Sequence, residues 1–382
     1  MENNNSVCFV ARINEIKPIE GADNIEQAIV GGWRCIVKKG AHIVDDLVVC
    51  TTTDAVIPQK LSDALNVTNY LRKDGRVRTV KLKGVYSECL IISLDSLPQM
   101  KKQFAKGIGY YWDEGEDLME FLKIFKYEPP VKMVQLASGR KIKYKDNPNF
   151  HIYYKFPNLK NVPGMFTEND IVEITRKIHG TNARYGIVRK TKLSFLDKIK
   201  KFFGNKWIEY EFIVGSHNVE KGSESQGFYD TNVWYDIEKK YDIKTKLWNY
   251  IKIYNPEIIG DGVILYGEIY GAGIQKGYDY GLKEIKFAGF DVKADGEYLD
   301  TYYTYLTIMD ELELPYVEIL YQGYWSQEIQ DKFTFNNFIP GTKVPEEGIV
   351  IKHVSGDRSL IAKVINPDYS IYSEKHNVGD SH

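Results

Sequence analysis

The alternation of apolar and polar residues is clearest in the first hundred residues, where short extended runs are separated by turn residues. Residues 7–16 alternate before the turn residues 18–23, and Gly31–Gly32 separates two further runs, which predicts a β-hairpin. A second pair of extended runs flanks Lys83–Gly84. About five strands in so short a stretch predict a small β-barrel, an architecture that often binds nucleic acid.

The rest of the chain mixes helical and extended patterns. Residues 101–150 contain one short helical pattern and otherwise predict a connecting segment between domains. Beyond them, residues 193–206 and 245–254 predict helices from the spacing of their apolar residues. Strands are predicted within residues 172–188, 263–271, 285–294, 347–354 and 360–365. These patterns predict an α+β fold with antiparallel sheets at residues 151–382.

The composition is that of a globular protein. The 382 residues are 43% hydrophobic and 27% charged, so two ordinary domains are expected and extensive disorder is not. No apolar run approaches the roughly 18 residues that cross a bilayer, and the N-terminus has no secretory pattern. An intracellular, cytoplasmic protein without a membrane partner is expected, and a nuclear location stays open. The four cysteines lack metal-ligand spacing and predict buried free thiols: Cys8, Cys35, Cys50 and Cys89.

The net charge of −2 excludes nucleic-acid binding through bulk charge, but two basic stretches remain. One stretch runs from Arg72 to Lys83 and the other from Lys190 to Lys206. Because charge runs are more often solvated faces, each is a weak indication by itself. The residues expected on barrel strands, in contact with nucleic acid, are Arg76, Arg78, Lys81 and Lys83.

One lysine lies at the end of a predicted strand and is followed by a glycine, in the sequence Lys177-Ile178-His179-Gly180-Thr181-Asn182. A nucleophilic lysine must be neutral, and a glycine lets the backbone approach a ligand closely. Taken alone, the pattern is better explained by an exposed strand-end lysine. Four further segments follow in order, at residues 265–271, 287–292, 346–352 and 360–364.

Together these five segments resemble the ordered motifs of the covalent nucleotidyltransferases, a superfamily that comprises DNA ligases, RNA ligases and mRNA capping enzymes. His179 before the glycine makes the first motif similar to that of RNA ligases, and residues 215–218 resemble a sugar- and phosphate-contacting segment. Residues 12–23, 32–33 and 78–88 are similar to the N-terminal OB domain of one RNA ligase clade, here residues 1–100. About 19 residues follow Lys363, too few for the C-terminal OB domain of the relatives.

The resemblance implies an ATP-dependent RNA ligase that joins 3′-hydroxyl and 5′-phosphate ends through lysyl-AMP and adenylylated 5′-end intermediates. Lys177 would be the nucleophile and Lys363 would contact the α-phosphate. Glu347 matches the carboxylate that orients Mg²⁺ or Mn²⁺, with its neighbour Glu346 as the alternative. The implied substrate is RNA or an RNA-containing nicked duplex, and a monomer is expected.

Further roles follow from the same resemblance. Glu268 matches the carboxylate that holds the ribose or engages metal-bound water. Phe290 matches the aromatic that stacks on adenine, although core packing would also explain that ring. The remaining implied nucleotide contacts are Ile178, His179, Gly180, Asn182, Arg184 and Lys352, the last of which would otherwise be a solvated strand end. Two positions depart from the family pattern: His179 stands where many members have aspartate, and Ile361 where some have a second lysine.

Two other functions stay open. A capping guanylyltransferase would use the same lysine chemistry with GTP, but the short C-terminus and His179 disfavour it. A non-catalytic RNA-binding protein would explain the N-terminal resemblance but none of the five later motifs. Labelling with ATP against GTP distinguishes these possibilities.

Overall fold

The protein, described here as a computed structural model, divides into two compact units. The first unit comprises Met1–Pro129, Pro157–Phe166 and Pro367–Ile371, and the second comprises Pro130–Phe156, Thr167–Asn366 and Tyr372–His382. The structure describes residues 6–96, 112–127, 147–221, 232–253, 260–299, 302–376 and 378. The predicted connection at residues 101–150 lies largely outside these residues, so the predicted domain limits stay predictions. No helix in the described part of the chain is long and apolar enough to cross a membrane.

The first unit is built mainly of short strands, which follow the alternation seen in its sequence. Within the described residues they are β1 (Cys8–Pro18), β2 (Ile25–Val30), β3 (Trp33–Lys38), β4 (Leu47–Thr52), β5 (Ala55–Val56), β6 (Val80–Leu82), β7 (Val85–Ser87), β8 (Cys89–Ser93) and β9 (Phe125–Lys126). Two short helices, α1 (Gln59–Ala64) and α2 (Met119–Leu122), accompany them. Three 3₁₀ turns lie at Thr68–Tyr70, Leu94–Ser96 and Leu159–Asn161.

Five of these strands form one antiparallel sheet in the order β3-β2-β1-β4-β8. Val30 pairs with Trp33, which confirms the predicted hairpin at Gly31–Gly32. The two ends of the sheet meet where the main-chain N–H of Glu88 donates to the carbonyl of Arg34 at 2.7 Å. A sheet whose ends bond to each other is nearly a closed barrel, so the predicted OB-type barrel is confirmed.

All four thiols are buried, in two separate apolar clusters: Cys8 packs with Val10 and Val49, whereas Cys35, Cys50 and Cys89 pack with Val30 and Trp33. Val10, Val49, Cys8 and Cys50 are fully buried, and all four cysteines are free and buried, as predicted. Burial raises the pKa of the Cys8 thiol to about 12, because the thiolate would lose its hydration. Such thiols pack as small apolar side chains.

The second unit contains two antiparallel sheets, as the sequence predicts. Its strands are β10 (Ile171–Lys177), β11 (Thr181–Arg189), β12 (Tyr210–Gly215), β13 (Gly262–Gly271), β14 (Ile285–Ala294), β15 (Glu297–Tyr298), β16 (Ile319–Tyr324), β17 (Gly348–His353) and β18 (Ile361–Ile365). The first sheet has the order β16-β10-β17-β18 and the second has the order β12-β11-β13-β14-β15. The predicted strands in this half of the chain are therefore confirmed.

Six helices lie in the described residues from 195 onward. They are α3 (Phe195–Phe202), α4 (Val233–Tyr241), α5 (Ile243–Ile253), α6 (Tyr302–Glu311), α7 (Gln327–Thr334) and α8 (Pro367–His376), with a 3₁₀ turn at Lys206–Glu209. Helices α4, α5 and α6 supply Ile237, Leu247 and Met309 to a core shared with Tyr185 and Leu265 of the sheet. Because successive strand residues point to opposite faces, the other face of the sheet carries a second cluster, in which Val188, Ile264 and Tyr266 pack with Phe150 and Tyr153.

Candidate active site

The segment that begins at Lys177 passes from one sheet to the other. Strand β10 of the first sheet ends at Lys177, and β11 of the second sheet begins at Thr181. A Cβ atom on Gly180 would lie 2.2 Å from the carbonyl oxygen of Ile269, so only glycine fits there. The lysine is therefore fixed at the junction of two sheets by a backbone passage that no larger residue permits.

Hydrogen bonds hold this passage in place. The Nε2 of Gln275 donates to the carbonyl of Gly180 at 2.5 Å, and the main-chain N–H of His179 donates to the Tyr280 hydroxyl at 2.6 Å. The His179 ring is buried and meets the Tyr278 ring edge-on, with 5.1 Å between the ring centroids. Ile178, which lies between Lys177 and His179 in the chain, is half-buried. The predicted nucleotide-binding residues 178–180 thus form an ordered turn directly after Lys177.

Lys177 pairs with the predicted metal-binding carboxylate. Lys177 lies opposite Gly348 in the β10–β17 register, and its Nζ is 2.5 Å from Oε1 of Glu347. Glu347 is buried, and its Oε2 has no hydrogen-bond partner in the described part of the chain. That oxygen lies 3.9 Å from Nδ1 of His179. A buried carboxylate oxygen without a partner is unfavourable unless something positive binds it.

The neighbouring glutamate points elsewhere. Glu346 forms an ion pair with Arg176, which also lies 2.7 Å from Glu318. Gly348, which follows them, lies close to β18, since a Cβ there would be 2.1 Å from the carbonyl oxygen of Val364. The structure thus places Glu347, rather than Glu346, beside Lys177.

Two further lysines share the face of the first sheet that carries Lys177. Thr175, two residues before Lys177, pairs with Val350, which in turn pairs with Lys363 on β18. Residues directly opposite each other on neighbouring strands project from the same face, as do residues two apart on one strand. By the same register Lys352 also lies on this face, and its Nζ donates to the carbonyl of Phe290 at 3.0 Å.

The second sheet brings Asn182 and Glu268 together. Asn182 on β11 is the direct partner of Glu268 on β13, so their side chains lie side by side. A β-bulge at Phe290 interrupts the β13–β14 pairing, because Tyr266 pairs with Asp291 whereas Gly267 pairs with Gly289. Bulges redirect side chains. The Phe290 ring is half-buried and meets the Tyr153 ring edge-on at 4.9 Å between centroids.

A buried layer of charged groups lies beside Lys352 on this face, and the sequence did not predict it. Glu173 is 2% exposed, and burial raises the pKa of its carboxyl to about 7, although the charge of Lys352 opposes part of that rise. Asp291 accepts from Arg358 Nη1 at 2.5 Å and from the Tyr153 hydroxyl at 2.9 Å. These groups line a cavity of about 30 Å³. The one sequence signal is that Glu173 lies between the apolar residues Val172 and Ile174.

Comparison with known proteins agrees with this geometry. The family model described as RNA ligase matches residues 170–365, slightly more than half of the chain. The chain belongs to the RNA ligase family. An OB-fold domain model matches residues 7–94. The prediction of a ligase enzyme with an N-terminal OB domain is therefore confirmed.

Solved RNA ligases from Naegleria gruberi share the fold. The ligase with PPi is 23% identical, with a TM-score of 0.68, over 97% of this chain and 99% of that one. Variants of the same protein with ATP and Mn, and with AMP and Mn, are each 22% identical with a TM-score of 0.69 over the same shares of the chains. No curated protein matches the sequence significantly.

In this ligase Arg184 is almost completely buried and bonded to the main chain. Its guanidinium donates to the carbonyls of Ser216 and Phe150, each at 2.7 Å, and lies over the Phe150 ring. The side chain therefore links β11 to residues 215–218, the segment predicted to contact sugar and phosphate. A direct nucleotide contact by Arg184 stays a prediction.

The basic residues of the first unit do not lie on the main barrel strands, which corrects the sequence-based placement. Arg76 and Arg78 precede the separate β6–β7 hairpin, which contains Lys81 on β6 and Lys83 in its turn. Arg76 and Val77 make only isolated bridges, to Val56 and Leu71, and do not join the five-stranded sheet.

These four side chains differ in their partners. Arg76 pairs with Asp74 at 2.7 Å, and Arg78 donates to the carbonyl of Asn69 at 3.2 Å. The Lys81 Nζ donates to the Tyr86 hydroxyl at 2.7 Å, whereas Lys83 is exposed. Lys83 is therefore the best placed of the four for a phosphate contact.

Proposed function

We propose that the protein is an ATP-dependent RNA ligase that joins 3′-hydroxyl and 5′-phosphate ends through lysyl-AMP on Lys177. The observation that carries the proposal is the 2.5 Å contact between Lys177 Nζ and Glu347 Oε1 where the two sheets meet. The similar Naegleria gruberi structures with ATP and Mn, and with AMP and Mn, support the choice of nucleotide and cation.

In the first step Lys177 Nζ attacks the α-phosphorus of ATP, so that a nitrogen–phosphorus bond forms and pyrophosphate leaves. The amine must first lose its proton, because an ammonium has no lone pair. A carboxylate in contact with a lysine favours the charged form of that lysine. The pair with Glu347 therefore describes a resting arrangement, and attack requires Glu347 to take another cationic partner.

Cationic side chains on the same face stabilise the charge that develops on the phosphate. Lys363 is the residue assigned to the α-phosphate. Lys352 lies on the same face and provides the second cation that Ile361 cannot, although in this state it bonds to the carbonyl of Phe290. To contact a phosphate, Lys352 must first break its hydrogen bond to the carbonyl of Phe290.

The remaining contacts bind the nucleoside. Phe290 is assigned to stack on adenine, since its bulge directs the half-buried ring away from the helix-covered face. Asn182 and Glu268 form the adjacent polar pair that would hold the ribose. The main chain of residues 178–180 lines the approach to Lys177.

A divalent cation fits the acidic groups of this site. Glu347 has a buried oxygen without a hydrogen-bond partner in the described residues, and Glu268 lies on the neighbouring sheet. The described residues contain no group of three or more metal-ligating side chains, but Mg²⁺ commonly uses one or two carboxylates together with substrate phosphates. When bound, Mg²⁺ or Mn²⁺ would neutralise phosphate charge and compete with Lys177 for Glu347.

Sealing requires two further steps, in which the adenylyl group moves to the RNA 5′-phosphate and the 3′-hydroxyl then displaces AMP. The barrel domain is assigned to hold the RNA, with Lys83 as its first phosphate contact and Arg76, Arg78 and Lys81 as further candidates. Phosphate contacts release counterions, so RNA affinity should fall as salt rises.

The test is covalent labelling of the intact protein. Incubation with ATP and Mg²⁺ should raise its mass by one adenylyl group on Lys177, and GTP should not replace ATP. Lys177→Ala and Lys177→Arg should both prevent labelling, because arginine stays protonated and cannot attack. Lys343→Ala, which removes an exposed lysine elsewhere, is the matched control.

Each alternative predicts a different result. Labelling by GTP alone would support a capping guanylyltransferase. RNA binding without labelling by either nucleotide would support a non-catalytic RNA-binding protein. Labelling that persists in Lys177→Ala would refute the assignment of the nucleophile.

A further inference from the structure

Helix α3 exposes its apolar side chains to solvent. Phe195, Phe202 and Phe203 are 77%, 86% and 80% exposed, and Leu196 and Ile199 are also exposed. None of the described residues of α3 is buried. An ordinary amphipathic helix turns such a stripe toward a core, so an exposed stripe indicates a binding surface.

The charged residues of α3 are arranged around that stripe. At 100° per residue the five apolar side chains occupy about 120° of the helix circumference, with Ile199 near the centre. Lys198 and Lys200 flank this arc, one on each side, and Asp197 points to the opposite side. Residues 190–201 contain five lysines and one aspartate, on a chain whose net charge is −2.

The helix forms without burying any of these groups. The Ser194 side chain accepts from the N–H of Asp197, whose carboxylate accepts from the N–H of Ser194, which completes a capping box. Lys190 lies 3.4 Å from Asp197, and Lys201 lies 2.5 Å from Glu209. The apolar face is therefore already ordered, and binding through it costs little conformational entropy.

The arrangement of side chains around α3 distinguishes between possible binding partners. RNA bases gain stacking from aromatic rings, yet the centre of the arc is the aliphatic Ile199. The hydrocarbon chains of a lipid bilayer can surround all five apolar side chains, aromatic and aliphatic alike. Lysines at both edges of an apolar arc can extend toward anionic headgroups while their stems stay in the interface, and Asp197 then faces water.

We propose that α3 attaches the protein to the surface of an anionic lipid bilayer, with its apolar arc in the interface and its lysines at the headgroups. The expectation of no membrane partner rested on the lack of a membrane-spanning segment, which an interfacial helix does not require. This surface is separate from the residues assigned to the ligase reaction, so the two proposals fail independently.

The experiment is flotation of the full-length protein with vesicles of phosphatidylcholine containing phosphatidylserine, compared with phosphatidylcholine alone. The protein should bind the anionic vesicles. Phe202→Ser with Phe203→Ser should weaken that binding by at least about tenfold, because burying each phenylalanine is worth an order of magnitude or more. Ile253→Ser, which removes an equally exposed apolar side chain from α5, should bind as the parent does.

A second variant tests the charges. Lys198→Gln with Lys200→Gln should weaken binding to anionic vesicles by about tenfold or more, since each lysine near the surface contributes about fivefold. Circular dichroism of every variant should match the parent. Failure of the parent to float with anionic vesicles would overturn the proposal. Loss of RNA binding, or of self-association in sedimentation, without any vesicle binding would also overturn it and would assign the face to that partner.

Discussion

Replacement of Glu173 by glutamine should make the protein more stable at neutral pH and leave it unchanged in acid. Burial raises the pKa of this carboxyl from its ordinary value of 4.5 to about 7. Between these two pH values the Glu173 carboxyl therefore stays protonated in the folded protein but is ionised in the unfolded chain. Stability must fall as pH rises through this window, because there the folded state binds more protons.

The size of the effect follows from the two pKa values. A tenfold change in a proton equilibrium is 1.36 kcal/mol, so the full window corresponds to about 3 kcal/mol. Below pH 4.5 Glu173 is neutral in both states and contributes no pH dependence. Above pH 7 it is ionised in both, and the whole loss of about 3 kcal/mol is present. Glutamine keeps the shape without the charge.

The assay is denaturant unfolding of Glu173→Gln and its parent at several pH values between 4.5 and 7.5. The stability difference should be near zero at the acid end and approach ~3 kcal/mol in favour of the variant at the neutral end. Glu297→Gln, at an exposed position, controls for the loss of one negative charge. A difference that stays constant across the window, or that favours the parent at neutral pH, would show that ionised Glu173 is stabilised by its neighbours.

Three further changes test the ligase assignment. Glu347→Ala should reduce lysyl-AMP formation at least about a hundredfold, whereas Glu346→Ala should be milder; equal losses would remove the basis for choosing between them. Gly180→Ala should prevent labelling and lower the melting temperature, because its Cβ would meet the Ile269 carbonyl at 2.2 Å. Lys83→Gln should weaken RNA binding and reduce its salt dependence by about one counterion, which a binding titration at several salt concentrations measures.

Much of the second unit was predictable from local sequence. Val172 and Ile174 alternate with polar residues in β10, whereas β17 has the continuous apolar run 349–351, and both patterns predict a strand. The preference for Glu347 over Glu346 rested on its match to the family motif, directly before Gly348, and the structure places Glu347 beside Lys177. These features depend on residues that are close together in the sequence, so local patterns can predict them.

Features that depend on distant segments were not predictable. The layer of Glu173, Asp291 and Arg358 joins residues far apart in sequence, and no local pattern indicates which charges meet. The bulge at Phe290 is an irregularity in the pairing of β13 with β14, so it can be recognised only when these two strands are aligned. The placement of Arg76 and Arg78 on barrel strands was wrong, because this part of the extended run forms only isolated bridges to Val56 and Leu71 and does not join the barrel sheet.

The passage from β10 to β11 explains why this site forms at all. A lysine within one sheet would meet only the residues of its neighbouring strands. Because the chain changes sheets within three residues of Lys177, one sheet supplies Glu347 and Lys363 while the other supplies Glu268 and Asn182. Acidic and basic groups of two sheets are thus brought to the junction at which Lys177 lies. The glycine that permits the crossing is therefore as necessary to the site as the lysine.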